Sequence, residues 1–136
     1  MIYQKFILLI FLLTLTLRQA TSTVWILDSG AEVHVTCNRT AMSEAQPTNL
    51  NLIFPNGNTL KIYEKGIARI GNITLSNVLY SDKLIVNLIS IKQLTNDGYN
   101  VMFTSKDATV TLQQHQHQHN GFVTASLLGN LYVIKN

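Results

Sequence analysis

From Val24 onward the chain breaks into short apolar or alternating runs, each bounded by Gly, Asn or Asp. Such runs recurring at about eight to twelve residues are the rhythm of a β-sandwich or barrel, because long solvated helices need unbroken 3.6-residue periodicity. The runs at residues 24–27, 50–54, 59–63, 66–70, 73–75, 78–80, 99–103, 108–112, 122–126 and 131–134 are therefore read as strands. Residues 50–54 and 59–63 flank Pro55-Asn56-Gly57-Asn58, where Asn-Gly between two apolar runs predicts a hairpin. Only 12% of the residues are charged, and 46% are hydrophobic, which gives a chain of 136 residues enough apolar material for one core. One segment departs from the strand rhythm. Leu88, Ile91 and Leu94 recur every third residue, which predicts a short helix over residues 87–94, stopped by Asn96-Asp97-Gly98.

The first 22 residues read differently: Lys5 precedes an apolar run over residues 6–17, interrupted only by Thr14 and Thr16, and Ala20 and Ser22 supply the small residues of a cleavage site. This is the pattern of a secretory signal peptide, and the run falls short of the roughly 20 residues that cross a bilayer as a helix. The expected product is secreted and free of the membrane once the leader is cleaved. Without a working leader it stays intracellular or membrane-tethered. The expected organisation is a leader at 1–22, a β-barrel at 23–104 and a C-terminal β extension at 105–136. Removing the leader takes away Lys5 and Arg18 and lowers the net charge from +3 to +1. No Lys/Arg cluster remains to track phosphates, which argues against a nucleic-acid partner.

Few residues offer chemistry. Cys37 is the only cysteine, so neither an internal disulfide nor a multi-cysteine zinc site can form, and a small buried hydrophobe is its expected role. His115, His117 and His119 alternate with glutamines, but no Cys or acidic ligand stands nearby, so a low-complexity loop is expected, with no metal and no cofactor. Asn38-Arg39-Thr40 and Asn72-Ile73-Thr74 fit the glycosylation pattern, which matters only in a secreted chain. His34 lies five residues after Ser29, yet nothing like a Gly-x-Ser-x-Gly elbow surrounds that serine. Asp28-Ser29-Gly30 follows the apolar run Val24-Trp25-Ile26-Leu27. Two readings of this triplet stand side by side: an ordinary turn of the residue types that favour turns, or a buried strand that delivers a carboxylate to a catalytic centre.

The order of several short pieces resembles the protease region of copia-type long-terminal-repeat retrotransposon Pol polyproteins. The pieces are Trp25-Ile26-Leu27-Asp28-Ser29-Gly30-Ala31 followed by His34 and Thr36, Asn56-Gly57 ahead of Lys65-Gly66-Ile67, and Leu75-Ser76-Asn77-Val78-Leu79-Tyr80. Asn87-Leu88-Ile89-Ser90 with Gln93-Leu94 and Asp97-Gly98-Tyr99 follow, and Gly129-Asn130-Leu131-Tyr132-Val133 resembles the stretch leading toward the integrase. The resemblance implies an all-β fold, a small closed retropepsin-like β-barrel with one short helix, that becomes an aspartic endopeptidase only when two copies pair. Asp28 would then be the catalytic carboxylate, Ser29 would brace the two motifs, and Gly30 would let them approach. The hairpin at Asn56 and Gly57 would be a flap over an extended polypeptide substrate, and the helix would pack beneath the active-site loop. Glu32, Glu64 and Ser81-Asp82 depart from the family pattern, and Glu32 adds a negative charge beside Asp28. The other reading is a catalytically inactive, degenerate or domesticated barrel that binds a partner or remains as a relic.

Overall fold

In the computed structural model, residues 23–113 and 122–136 are described, and strand is their main regular structure. The leader and the three alternating histidines lie outside the described residues. Ten strands form one sheet: β1 (Val24–Asp28), β2 (Val35–Thr36), β3 (Ser43–Ile53), β4 (Thr59–Ile70), β5 (Ile73–Tyr80), β6 (Asn87–Ser90), β7 (Tyr99–Phe103), β8 (Asp107–Leu112), β9 (Phe122–Leu128) and β10 (Leu131–Lys135). Their hydrogen-bonded order is β3-β4-β5-β2-β6-β1-β10-β9-β8-β7. Most neighbours are antiparallel, but β1 runs parallel to β6 and β2 runs parallel to β5 at the centre.

The expected closed barrel is not what forms among the described residues. Closure needs β3 to pair with β7, and these are the two free edges of the sheet. β3 is a poor template for a further strand: it carries Pro47, breaks register twice against β4, and holds Glu44 at a φ of 51°. Proline and bulges on an edge remove or misdirect the groups that another strand would engage. The sheet instead folds over one core. Trp25 and Leu27 from β1, Ile70 from β4, Leu75 and Val78 from β5, Ile89 from β6, Val110 from β8, Ala125 from β9 and Ile134 from β10 pack together, drawn from both halves of the ladder. Side chains tie the halves where backbone pairing does not. The Tyr99 hydroxyl, at the start of β7, accepts from the Thr74 amide at 3.0 Å and lies 3.3 Å from the Thr74 carbonyl.

The segment read as one helix is half strand. Residues Asn87–Ser90 pair in parallel with β1, Trp25 opposite Asn87 and Asp28 opposite Ser90, and only Ile91–Asn96 turn into a helix, α1. The three-residue spacing of Leu88, Ile91 and Leu94 thus straddles two elements. Ser90 is the cap: its hydroxyl accepts from the Gln93 amide at 3.0 Å, so the helix begins one residue later. Leu94 is fully buried in the main core, and α1 closes at Asp97 with Gly98 at a φ of 88°.

The predicted hairpin is present as β3 and β4, longer than the sequence signal implied. Its turn is built on Pro55. The Gly57 amide donates to the Phe54 carbonyl at 2.9 Å, the Phe54 amide donates to Asn58 at 2.8 Å, and Gly57 alone takes the left-handed conformation, with φ of 85°. Farther along β4, a Cβ on the buried Gly66 would sit 2.7 Å from the Ser43 carbonyl oxygen, backbone that cannot rotate away. Gly66→Ala is expected to cost about 1 to 3 kcal/mol through this overpacking. Urea unfolding measures it as a lower midpoint with an unchanged slope.

Strands β8 to β10 belong to the same sheet as the rest. β10 covers the edge of β1 that β6 leaves open, with Trp25 opposite Ile134. Without it the strand leading to Asp28 would be paired on one side only.

Candidate active site

β1 is buried on both faces, which is why its four apolar residues form an unbroken run. Trp25 and Leu27 enter the main core, while Ile26 packs with Leu131 and Val133 against Val24, Val86 and Leu88. Strand alternation sends Asp28 to the face of Ile26. The carboxylate thereby reaches a cavity of about 500 Å³. Val33 and Val35 line it from the loop and β2, Val86 and Leu88 from the segment entering β6, and Leu52, Ile53, Phe54 and Pro55 from the end of the hairpin.

Asn56 and Gly57 form the exposed tip of that hairpin, and the cavity wall is made by the four residues before them. Ile53 is 70% exposed and Phe54 37%, unusual for large apolar side chains, and both face this opening. The alternating pattern of 50–54 is legible as a strand. Nothing in it shows which end overhangs Asp28. The opposite wall has no sequence signal of its own: a turn closed by the Leu84 amide on the Ser81 carbonyl at 3.2 Å brings Leu84, Ile85 and Val86 to the cavity.

Around Asp28 the geometry is local. The Gly30 amide donates to Asp28 Oδ1 at 2.7 Å, the bond of an Asx turn. Gly30 does not need a positive φ here. A Cβ at this position would lie 3.3 Å from the same carboxylate oxygen, so glycine leaves room for the close approach. Ser29 is exposed beside the turn. Glu32, the departure that placed a second negative charge near Asp28, is paired with Lys92 of α1 at 2.7 Å at the rim of the cavity. Glu64 is likewise paired, with Arg39 at 2.7 Å. Both pairs are exposed, and each contributes well under about 1 kcal/mol to stability. Lys92 nonetheless offsets the Glu32 charge beside the opening.

The polar residues of the resemblance meet in two buried groups, one centred on Asn87 and one on Ser90 and His34. Asn87 Oδ1 accepts from the Thr36 hydroxyl at 2.7 Å and from the Cys37 amide at 3.1 Å, while its amide group donates to the Val24 carbonyl at 3.0 Å. One side chain thus joins β1, β2 and β6. The Ser90 hydroxyl donates to the Ala31 carbonyl at 2.7 Å, and the Ser90 amide donates to His34 Nδ1 at 2.9 Å. Gln93 accepts from the His34 amide at 3.0 Å and donates to the Ser76 carbonyl. The loop after Asp28 is therefore held by β6 and α1. His34 is completely buried, and that burial lowers its pKa from 6.5 to about 4, with the Asp97 carboxylate pulling the other way. With Nδ1 occupied by the Ser90 amide, His34 does not serve Ser29 as a base. The half-buried Cys37 thiol is pushed up by the same loss of solvent. Among the described residues no cluster of His, Cys, Asp and Glu has the makings of a metal site.

Residues 25–99 match the sequence pattern of the family described as Pol polyprotein, beta-barrel domain. The chain belongs to that family. No curated protein and no solved structure matches it. The matched part of this Pol polyprotein β-barrel domain begins at Trp25 and ends at the Tyr99 that reaches back to Thr74, so it contains Asp28, the hairpin, Asn87 and the Ser90, His34 and Gln93 group. β8 to β10 lie beyond it and complete the sheet.

Proposed function

We propose that this Pol polyprotein domain is a copia-type aspartic endopeptidase unit that cleaves extended polypeptides as a homodimer. The observation that carries the reading is the position of Asp28: a carboxylate at the end of a doubly buried strand, opening into an apolar cavity beneath an overhanging hairpin. One chain supplies one such carboxylate. Two at about 3 Å cannot both ionise, so a pair shares a proton. The ionised member takes a proton from water as its oxygen attacks the peptide carbonyl carbon, and the protonated member gives its proton to the carbonyl oxygen. The tetrahedral intermediate then collapses: the ionised member takes back a proton from one of its two hydroxyls, the C–N bond breaks, and the protonated member gives its proton to the leaving nitrogen, which restores the shared proton of the dyad. Leu52 to Pro55 would close over the substrate backbone and exclude water.

This reading requires two copies, so the rate of peptide cleavage per chain is expected to rise with chain concentration and level off above the dimer dissociation constant. Halving the concentration in the dilute range lowers the total rate about fourfold, because dimer population follows the square of free chain by mass action. A total rate strictly proportional to concentration throughout, measured with a peptide library between pH 4 and 7, would overturn the paired site.

A second reading is favoured by the bond from the Gly30 amide to Asp28 Oδ1, which makes Asp28 an ordinary turn residue. The domain is then a non-catalytic β module. A folded chain with no cleavage at any concentration supports this second reading against the first.

A further inference from the structure

We propose that His34, Ser90 and Gln93 form an acid-sensitive latch on the loop that follows Asp28, closed while the His34 ring is neutral and released when it takes up a proton.

Beyond one backbone bond at its end, where the Leu79 amide of β5 donates to the His34 carbonyl at 3.0 Å, the loop between β1 and β2 gains no strand pairing. It is held by the Ser90 hydroxyl on the Ala31 carbonyl at 2.7 Å, by the His34 amide on Gln93 Oε1 at 3.0 Å and by the Ser90 amide on His34 Nδ1 at 2.9 Å. The last bond needs a bare ring nitrogen, because an imidazolium carries a proton on both nitrogens and has no acceptor. Protonation would set two N–H groups against each other at a residue with no solvent exposure. Proton uptake therefore opposes the closed latch, and geometry alone sets the direction. The depressed pKa of His34, about 4, agrees with it, since burial opposes the charge more than Asp97 favours it.

Few other charges stand on the elements packed around the ring. Asp97, which caps the end of α1, accepts from the Ser76 hydroxyl at 2.7 Å, and Lys92 within that helix is paired with Glu32 of the loop. Asp28 ends β1 and is bonded to the Gly30 amide. β2 and β6 carry no titratable side chain, and β5 carries only the Tyr80 phenol.

With an ordinary His34 value of 6.5 in the open loop and about 4 in the closed one, protons favour the open form. The open-to-closed ratio rises about tenfold for each pH unit lost between those two values and is constant below the lower one. Because Gly30, which bonds the Asp28 carboxylate, directly precedes the Ala31 that Ser90 holds, release frees the turn that aims the carboxylate. That consequence for cleavage rests on the aspartic endopeptidase reading, whereas the latch itself does not.

The test is amide hydrogen exchange by NMR on the full chain from pH 7 to 3.5, corrected for the intrinsic pH dependence of exchange. Protection of the Ser90 and His34 amides is expected to fall about tenfold per pH unit from 6.5 to about 4 and then level, while the Val110 amide in the core keeps its protection. Flat Ser90 protection overturns the latch. So does a parallel fall at Val110, which would assign the acid effect to unfolding of the whole sheet. In Ser90→Ala at pH 7 the Gly30 amide is expected to lose protection at least about tenfold, and an unchanged Gly30 overturns the link to the Asp28 turn. The wild-type profile decides the latch even if that variant does not fold. None of these readouts uses cleavage, so an inactive chain with the expected exchange pattern separates the two proposals.

Discussion

Asp28→Asn is expected to lower peptide cleavage by about 10²- to 10⁴-fold, the usual contribution of a positioned acid or base. The amide keeps the shape of the side chain and an oxygen that accepts from the Gly30 amide, so the turn survives. What it removes is the proton: an amide neither takes one from water nor gives one to a carbonyl. The check pairs wild type and variant in the same peptide assay between pH 4 and 7, with exchange protection of Gly30 as the control on folding. Equal cleavage by both would place the chemistry elsewhere and return Asp28 to the role of a turn residue.

The largest stability effect is expected at Asn87. Truncation to Ala strands the Val24 carbonyl and the Cys37 amide and leaves the Thr36 hydroxyl only its longer 3.3 Å bond to the Asn38 carbonyl, all around a residue with no solvent exposure. Each buried orphan costs about 1 to 3 kcal/mol, and water entering the new space recovers part of that, so a net loss of about 3 to 5 kcal/mol is expected. Asn87→Asp keeps the acceptor for Thr36 and Cys37 but loses the donor to Val24 and adds a buried charge. Its damage is expected to be of similar size and to lessen as the pH falls, since a protonated carboxyl regains a donor. Urea unfolding of both variants measures this. A loss under about 1 kcal/mol for Asn87→Ala would mean that the three strands do not depend on this side chain.

Several features are legible in the residue order because they are local. Alternation marks β8 closely, since its buried Ala108 and Val110 share one face, and the apolar run at 131–134 marks β10, which is buried on both faces. Pro55-Asn56-Gly57 locates the hairpin because turn chemistry belongs to the turn itself. The unbroken run at 24–27 marks a strand buried on both faces. The short helix is misplaced for an equally local reason: Leu88, Ile91 and Leu94 satisfy a three-residue period whether or not one helix carries them. What makes residues 87–90 a strand is the edge of β1 beside them.

Residue order alone specifies a β protein with a lone Asp-Ser-Gly turn at the end of a buried strand. It also specifies the short pieces shared with the family, because strand alternation and turn residues act over a few positions. Other outcomes belong to three dimensions: the sheet stays open among the described residues, Asn87 ties β1 to β2, Ser90, Gln93 and His34 hold the loop after Asp28, and Leu52 to Pro55 face Asp28 across a cavity. Those outcomes depend on which distant segments meet. In one dimension a buried asparagine or histidine looks like a loop residue, and the partner that satisfies it stands more than fifty residues away.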